Sequence, residues 1–147
     1  MNKHFFDLAR KESYKATYSG YSAVKIGCVV VYRGTILARG SNSNKSHTTQ
    51  HKYNYLRYND KDINYYYNPS IHAEIQALNK IRYLDIDFSK IKIYIYREFK
   101  NGNPAMARPC MSCMKFIRDL GIRKIYYTTN DGYCEERLRI NCEAVGN

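Results

Sequence analysis

No apolar run in the chain approaches the roughly 20 residues that a membrane-spanning helix needs. The N-terminus carries Lys3, Asp7, Arg10, Lys11 and Glu12 and so lacks the apolar core of a signal peptide. These absences argue against a membrane partner and for a soluble, cytoplasmic protein. Internal repeats and low-complexity tracts are missing too, which excludes a repeat architecture. Acidic residues are scarce: 13 Asp and Glu face 24 Lys and Arg, leaving a net charge of +11. Such an excess concentrates polyanions or phosphorylated small molecules without choosing between them. The 16 tyrosines, with abundant Lys, Asn and Ile, also fit an A+T-rich coding bias, in which part of the basicity is drift toward Lys.

At 147 residues the chain has room for one buried core, so residues 1–147 are expected to form a single domain. Its five cysteines are Cys28, Cys110, Cys113, Cys134 and Cys142, an odd set with one Cys-x-x-Cys pair. In a chain without an export signal that pattern favours metal binding or free thiols over a disulfide frame. Cys28, inside an apolar run, reads as a small buried hydrophobe, and Cys134 and Cys142 as free thiols.

Residues 3–19 show a loose helical pattern that Gly20 can end. Residues 24–32 and 35–39 are apolar, β-branched runs around Arg33-Gly34, a hairpin whose first strand is expected to be central. Residues 40–69 read as a long polar, Tyr-rich loop with a short helix near residues 53–58. Ser70 is the expected N-cap of a helix over 71–83, with Ile71, Ile75, Leu78 and Ile81 on one face. A strand over 92–97, a helix over 110–120 stopped by Gly121, and a strand over 123–128 follow. Alternating strand and helix argues for an α/β sheet with these last two strands parallel. The tail after Asn130 fits no single pattern, and a short helix over 135–140 is one reading of it.

Two motifs carry chemistry: His72-Ala73-Glu74 and Pro109-Cys110-Met111-Ser112-Cys113. Cys110 and Cys113 stand three apart at a helix start, on one face and within reach of one metal, where the helix N-terminus also favours thiolates. His72 and Glu74 point apart on a regular helix and can serve one centre only at its first turn. What is missing is a fourth Cys or His ligand. Three ligands leave one zinc position for water, and Glu74, as a carboxylate off the metal, can carry that water's proton. This combination means hydrolysis.

From these residues the chain resembles the zinc-dependent cytidine and deoxycytidylate deaminase superfamily, over roughly residues 22–129. The resemblance implies a three-layer α/β/α sandwich around a central mixed sheet, a Zn2+ cofactor on His72, Cys110 and Cys113, and Glu74 as the catalytic acid and base. It implies attack of zinc hydroxide on C4 of cytosine, or C6 of adenine, with release of ammonia. Cys113-Met114-Lys115-Phe116-Ile117 and Leu120-Gly121-Ile122-Arg123-Lys124 look most like the deoxycytidylate branch, although Gln76 stands where that branch has Asn and Met114 replaces a small residue. Gly40-Ser41-Asn42 resembles the Gly-x-Asn whose Asn contacts the sugar. The expected substrate-contacting set is Asn42, Ala73 between ligand and acid, and Arg108, a cation before Pro109. An extra hairpin is expected to fill the long interval between the motifs, in the insertion at 99–107.

The primary expectation is a deaminase of a small cytosine-containing nucleotide, working as a homo-oligomer. Alternatives are a nucleic-acid editor, for which Tyr53, Tyr55, Tyr58, Tyr65, Tyr66 and Tyr67 interleaved with Lys52, Arg57 and Lys61 supply stacking beside charge, and a catalytically silent zinc module. His47 and His51, spaced i and i+4, are candidates for a second metal or for ordinary surface histidines.

Overall fold

The computed structural model describes residues 2–16, 24–43, 45, 48–53 and 71–139. Its helices and strands are α1 (Lys3–Ser13), β1 (Ile26–Tyr32), β2 (Thr35–Ser41), α2 (Thr48–Tyr53), α3 (Ala73–Asn79), β3 (Ile91–Arg97), α4 (Met111–Asp119), β4 (Lys124–Thr129) and β5 (Gly132–Arg137).

The strands form one sheet in the order β2-β1-β3-β4-β5. β1 pairs antiparallel with β2 and β3, β3 pairs parallel with β4, and β5 returns antiparallel on β4. The sheet is therefore mixed, β1 is interior, and the parallel pair is β3 and β4, as the alternation of elements implied. Arg33 and Gly34 take φ of 50° and 81°; two successive positive values make the tight two-residue turn whose twist matches a hairpin.

Period-two alternation sorts each strand between two faces. Cys28, Val30, Ile93, Ile95, Ile125 and Tyr127 point into the larger core beneath α2, α3 and α4. Val29, Val31, Tyr94, Tyr96 and Tyr126 face the opposite side, where Phe6 and Ala9 of α1 cover them. The result is the three-layer α/β/α arrangement.

Three boundaries depart from expectation. α1 stops at Ser13, and the rest of the anticipated span has no helix over 14–16 and lies outside the described residues beyond that. α3 is shorter than 71–83 and its N-cap is His72, Ser70 lying outside the described residues. All four periodic positions, Ile71, Ile75, Leu78 and Ile81, are nonetheless buried. Past Asn79 the backbone tightens into three-residue turns, Ile81 N–H to Leu78 O and Leu84 N–H to Ile81 O, so the buried face continues without α-helical bonding. The third departure is a change of type: the described residues of 135–140, which are 135–139, hold no helix, because residues 132–137 form β5. Asn130-Asp131 is a two-residue turn between paired Thr129 and Gly132, and backbone pairing with β4 overrides local helical preference. Of the short helix anticipated near 53–58 only Tyr53, the last residue of α2, is described, and residues 54–58 lie outside the described residues.

Candidate metal centre and active site

The ends of two helices build the site. His72 is the N-cap of α3 and Cys110 the N-cap of α4, so both motifs sit at first turns with their side chains free to aim past the helix ends. His72 Nδ1 lies 3.5 Å from Cys110 Sγ and 3.3 Å from Cys113 Sγ. The three donor atoms all fall within 4.8 Å of one another. A tetrahedral zinc with its usual bonds to sulfur and nitrogen sets an N and an S ligand roughly 3.5 Å apart, so the donor set fits that ion.

Around the donors the protein supplies burial and two polar atoms orphaned among the described residues, Glu74 Oε1 and, between the two cysteines in sequence, Ser112 Oγ. Cys113 is fully buried and Glu74 nearly so. Glu74 Oε1 has no hydrogen-bond partner among the described residues. Such a buried oxygen is costly unless a ligand or water meets it, which suits a carboxylate that must receive a proton. Burial raises the Glu74 carboxyl above the ordinary carboxylate range, against the opposing pull of His72. The two sulfurs divide in character: a hydrogen bond from Cys113 holds Cys110 down at about 3, while burial pushes Cys113 well up. A dication would satisfy both sulfurs as thiolates.

Local packing explains how the donors converge. Gly40, near the end of β2, lies against the start of α3: a Cβ there would stand 2.5 Å from Ala73 O and 2.6 Å from Ala77 N. Ser41 N–H donates to Gln76 Oε1 at 2.8 Å, and Ser43 N–H to Ile71 O at 3.1 Å. On the other side, Thr128 at the end of β4 organises the approach to Cys110. Its hydroxyl accepts from Arg97 N–H at 3.1 Å and donates to Ala105 O at 2.6 Å, while its carbonyl accepts from Ala107 N–H at 2.9 Å. The segment after β3 is a compact return with one isolated bridge, Glu98 to Pro104, in place of a full extra hairpin.

The sequence-derived residues separate into three groups. His72, Glu74, Cys110 and Cys113 come together, with buried Ala73 between the first two. Asn42 lies between Ser41 and Ser43, whose backbones bond Gln76 and Ile71, and its own amide ties β1 in place, accepting from Ile26 N–H at 2.9 Å and donating to Val24 O. Arg108 turns to β5, where Nε and Nη2 each meet a Glu136 carboxylate oxygen at 2.9 Å. Cys28 is buried in the sheet, Cys134 lies away from the cluster, and every described cysteine is free. Cys142, His47 and the Tyr-rich stretch after Tyr53 lie outside the described residues, as does the His51 side chain.

One supporting residue escaped the motif reading. Gln50 of α2 is fully buried, and its Oε1 accepts from His72 N–H at 2.9 Å. Since α3 has no side-chain cap of its own, this amide fixes the backbone from which the imidazole projects. The only signal in the sequence was an amide within a long polar segment.

Fold and site together define an α/β enzyme of the zinc-dependent deaminase class. The sequence pattern of the cytidine and deoxycytidylate deaminase zinc-binding region matches residues 1–129, and the chain belongs to that family. Among solved structures, a cytidine deaminase from Burkholderia pseudomallei superposes with a TM-score of 0.63 at 18% identity, over 93% of this chain and 92% of that one. A dCMP deaminase from the cyanophage S-TIM5 gives 0.55 at 25% identity, over 85% and 79%. The S-TIM5 enzyme in complex with dCMP and dUMP gives 0.53 at 21% identity, over 85% and 78%. No curated protein sequence matches the chain. No helix among the described residues is long and apolar enough to cross a membrane.

Proposed function

We propose that the chain hydrolytically deaminates a cytosine-containing nucleotide of the deoxycytidylate kind, with residues 1–147 acting as one catalytic domain. The observation that carries this reading is the convergence of His72 Nδ1 and two cysteine sulfurs beside a buried carboxylate with an unmatched oxygen. His72, Cys110 and Cys113 would hold a zinc ion, which would supply the Lewis acidity that makes water a nucleophile at neutral pH. Glu74 would accept a proton from the attacking water and return it to the substrate. A C4–O bond forms, the C4–N bond breaks, and the amine leaves as ammonia. Burial of Glu74 keeps the transferred proton from bulk water. Asn42 and Ala73 border the substrate through the β2 end and the first turn of α3. Arg108 reaches a substrate phosphate on this reading by exchanging its Glu136 partner for that anion.

Support for the nucleotide over the free nucleoside comes from the segment after Cys113 and from the 25% identity to the cyanophage dCMP deaminase. The test is ammonia release by the zinc-loaded chain from cytosine, cytidine, deoxycytidine, dCMP, adenine compounds and single-stranded oligonucleotides. Preferred turnover of dCMP is expected. Turnover of cytidine alone, or of oligonucleotides alone, overturns the choice of substrate.

A further inference from the structure

The parallel ladder between β3 and β4 runs from Lys92 opposite Lys124 to Ile95 opposite Tyr127 and stops there, although β3 continues to Arg97 and β4 to Thr129. A strap of residues 105–108 bridges the two strand ends and leads into Pro109 and Cys110. Ala105 N–H donates to Arg97 O and Ala107 N–H to Thr128 O, each at 2.9 Å. Ala105 and Ala107 are buried and Met106 is half-exposed, so the strap alternates inward and outward.

The Met106 backbone is clamped from both sides: its N–H donates to Asn130 Oδ1 at 2.9 Å and its carbonyl accepts from Arg97 Nη1 at 3.2 Å. Thr128, fully buried, closes the arrangement. Its Oγ1 accepts from Arg97 N–H at 3.1 Å and donates to Ala105 O at 2.6 Å, the shorter of its two carbonyl contacts. Arg108 is held in turn by Glu136 of β5, which leaves Pro109, with φ fixed by its ring, as the joint before Cys110. Cys110 caps α4 with no side-chain cap bond, and its sulfur lies 3.5 Å from an imidazole 38 residues earlier in the chain. That separation is therefore set by what fixes the entry to α4, and the bonds that fix it run back to the end of β4 and the turn after it.

We propose that Thr128 and Asn130 are positioning residues for the metal centre: by fixing the strap they set where the Cys110 sulfur stands against His72, and with it the affinity for zinc. They act through the backbone of residues 105–107 and hold no metal themselves. The proposal rests on the reading of His72, Cys110 and Cys113 as zinc ligands.

Two measurements on the full chain test it, zinc affinity by chelator competition and the sulfur-to-cobalt charge-transfer absorption after cobalt substitution, since both read the donor set and not turnover. Thr128→Val keeps the side-chain shape but takes the hydroxyl from Arg97 N–H and Ala105 O. Zinc affinity is expected to fall at least about tenfold, as for other lost contacts behind a metal ligand, and the cobalt band to shift. Thr128→Ser restores the hydroxyl and is expected to match the parent in both. Thr129→Val is the control for the turn: the Thr129 hydroxyl accepts from Asp131 N–H at 3.2 Å and makes no bond to the strap among the described residues, so zinc affinity should hold. A folded Thr128→Val protein with parental zinc affinity and cobalt spectrum, or an equal loss in Thr129→Val, overturns the proposal. Should Thr128→Val fail to fold, Asn130→Ala decides, because it removes only a surface bond to Met106 N–H. Zinc binding about 2–10-fold weaker, the equivalent of one net hydrogen bond, is expected there, and parental affinity overturns the proposal. A parent that takes up neither zinc nor cobalt overturns the ligand reading itself, whereas uptake by the parent with unaffected variants overturns the positioning role alone.

Discussion

Replacing Gln50 with Leu tests whether a residue that never touches the metal sets its affinity. The side chains have similar volume, so the fully buried site stays filled while the acceptor for His72 N–H disappears. A donor that loses a hydrogen-bond partner in a partly buried setting costs about 1–3 kcal/mol. Removing a group that orients a metal ligand typically lowers metal affinity about 10–100-fold. Because His72 caps α3 without a side-chain cap bond, the loss falls on the residue carrying the imidazole. Zinc affinity of folded protein, measured by competition with a chromophoric chelator, should fall by that factor in Gln50→Leu and hold in Cys134→Ser, whose thiol is not one of the clustered donors. Parental zinc affinity in a folded Gln50→Leu protein would refute the reasoning.

Gly40→Ala drives a Cβ to 2.5 Å from Ala73 O, and because that contact is helix backbone it cannot swing aside. A cost of about 1–3 kcal/mol, read as a melting temperature lower by several degrees, is expected; an unchanged melt contradicts the close approach. Glu136 is held below its ordinary value of 4.5, first by its hydrogen bonds from Arg108. A depressed carboxyl adds stability that is present above the ordinary value and lost as pH falls through the lower folded value. Glu136→Gln should therefore flatten the stability profile below about pH 4.5, with under about 1 kcal/mol lost at neutral pH because Arg108 is half-exposed. Unfolding curves at a series of pH values check this, and an identical acid limb in both proteins counts against it.

Much of the site was legible because its chemistry is local. A Cys-x-x-Cys at a helix start and a His-x-Glu at another give their own geometry, and both helices begin at those residues. The Arg33-Gly34 turn and the stop at Gly121, with φ of 94°, follow from backbone freedom that few residues share. Features set by distant partners were harder to read. β5 is a strand because β4 offers an edge, although 135–140 is polar and suits a helix. Arg108 looks free beside Pro109 until the sheet brings Glu136 across to it. Gln50 gains meaning only when α2 meets the start of α3, a contact between residues 22 apart in sequence.

The central claim is that three side chains hold zinc while Glu74, off the metal, moves the proton. Zinc content and ammonia release from dCMP, measured together for the parent and Glu74→Gln, test it most directly. One zinc per chain in both proteins, with release abolished only in the variant, is the predicted result. Loss of zinc from Glu74→Gln, or ammonia release at the parental rate, would contradict it.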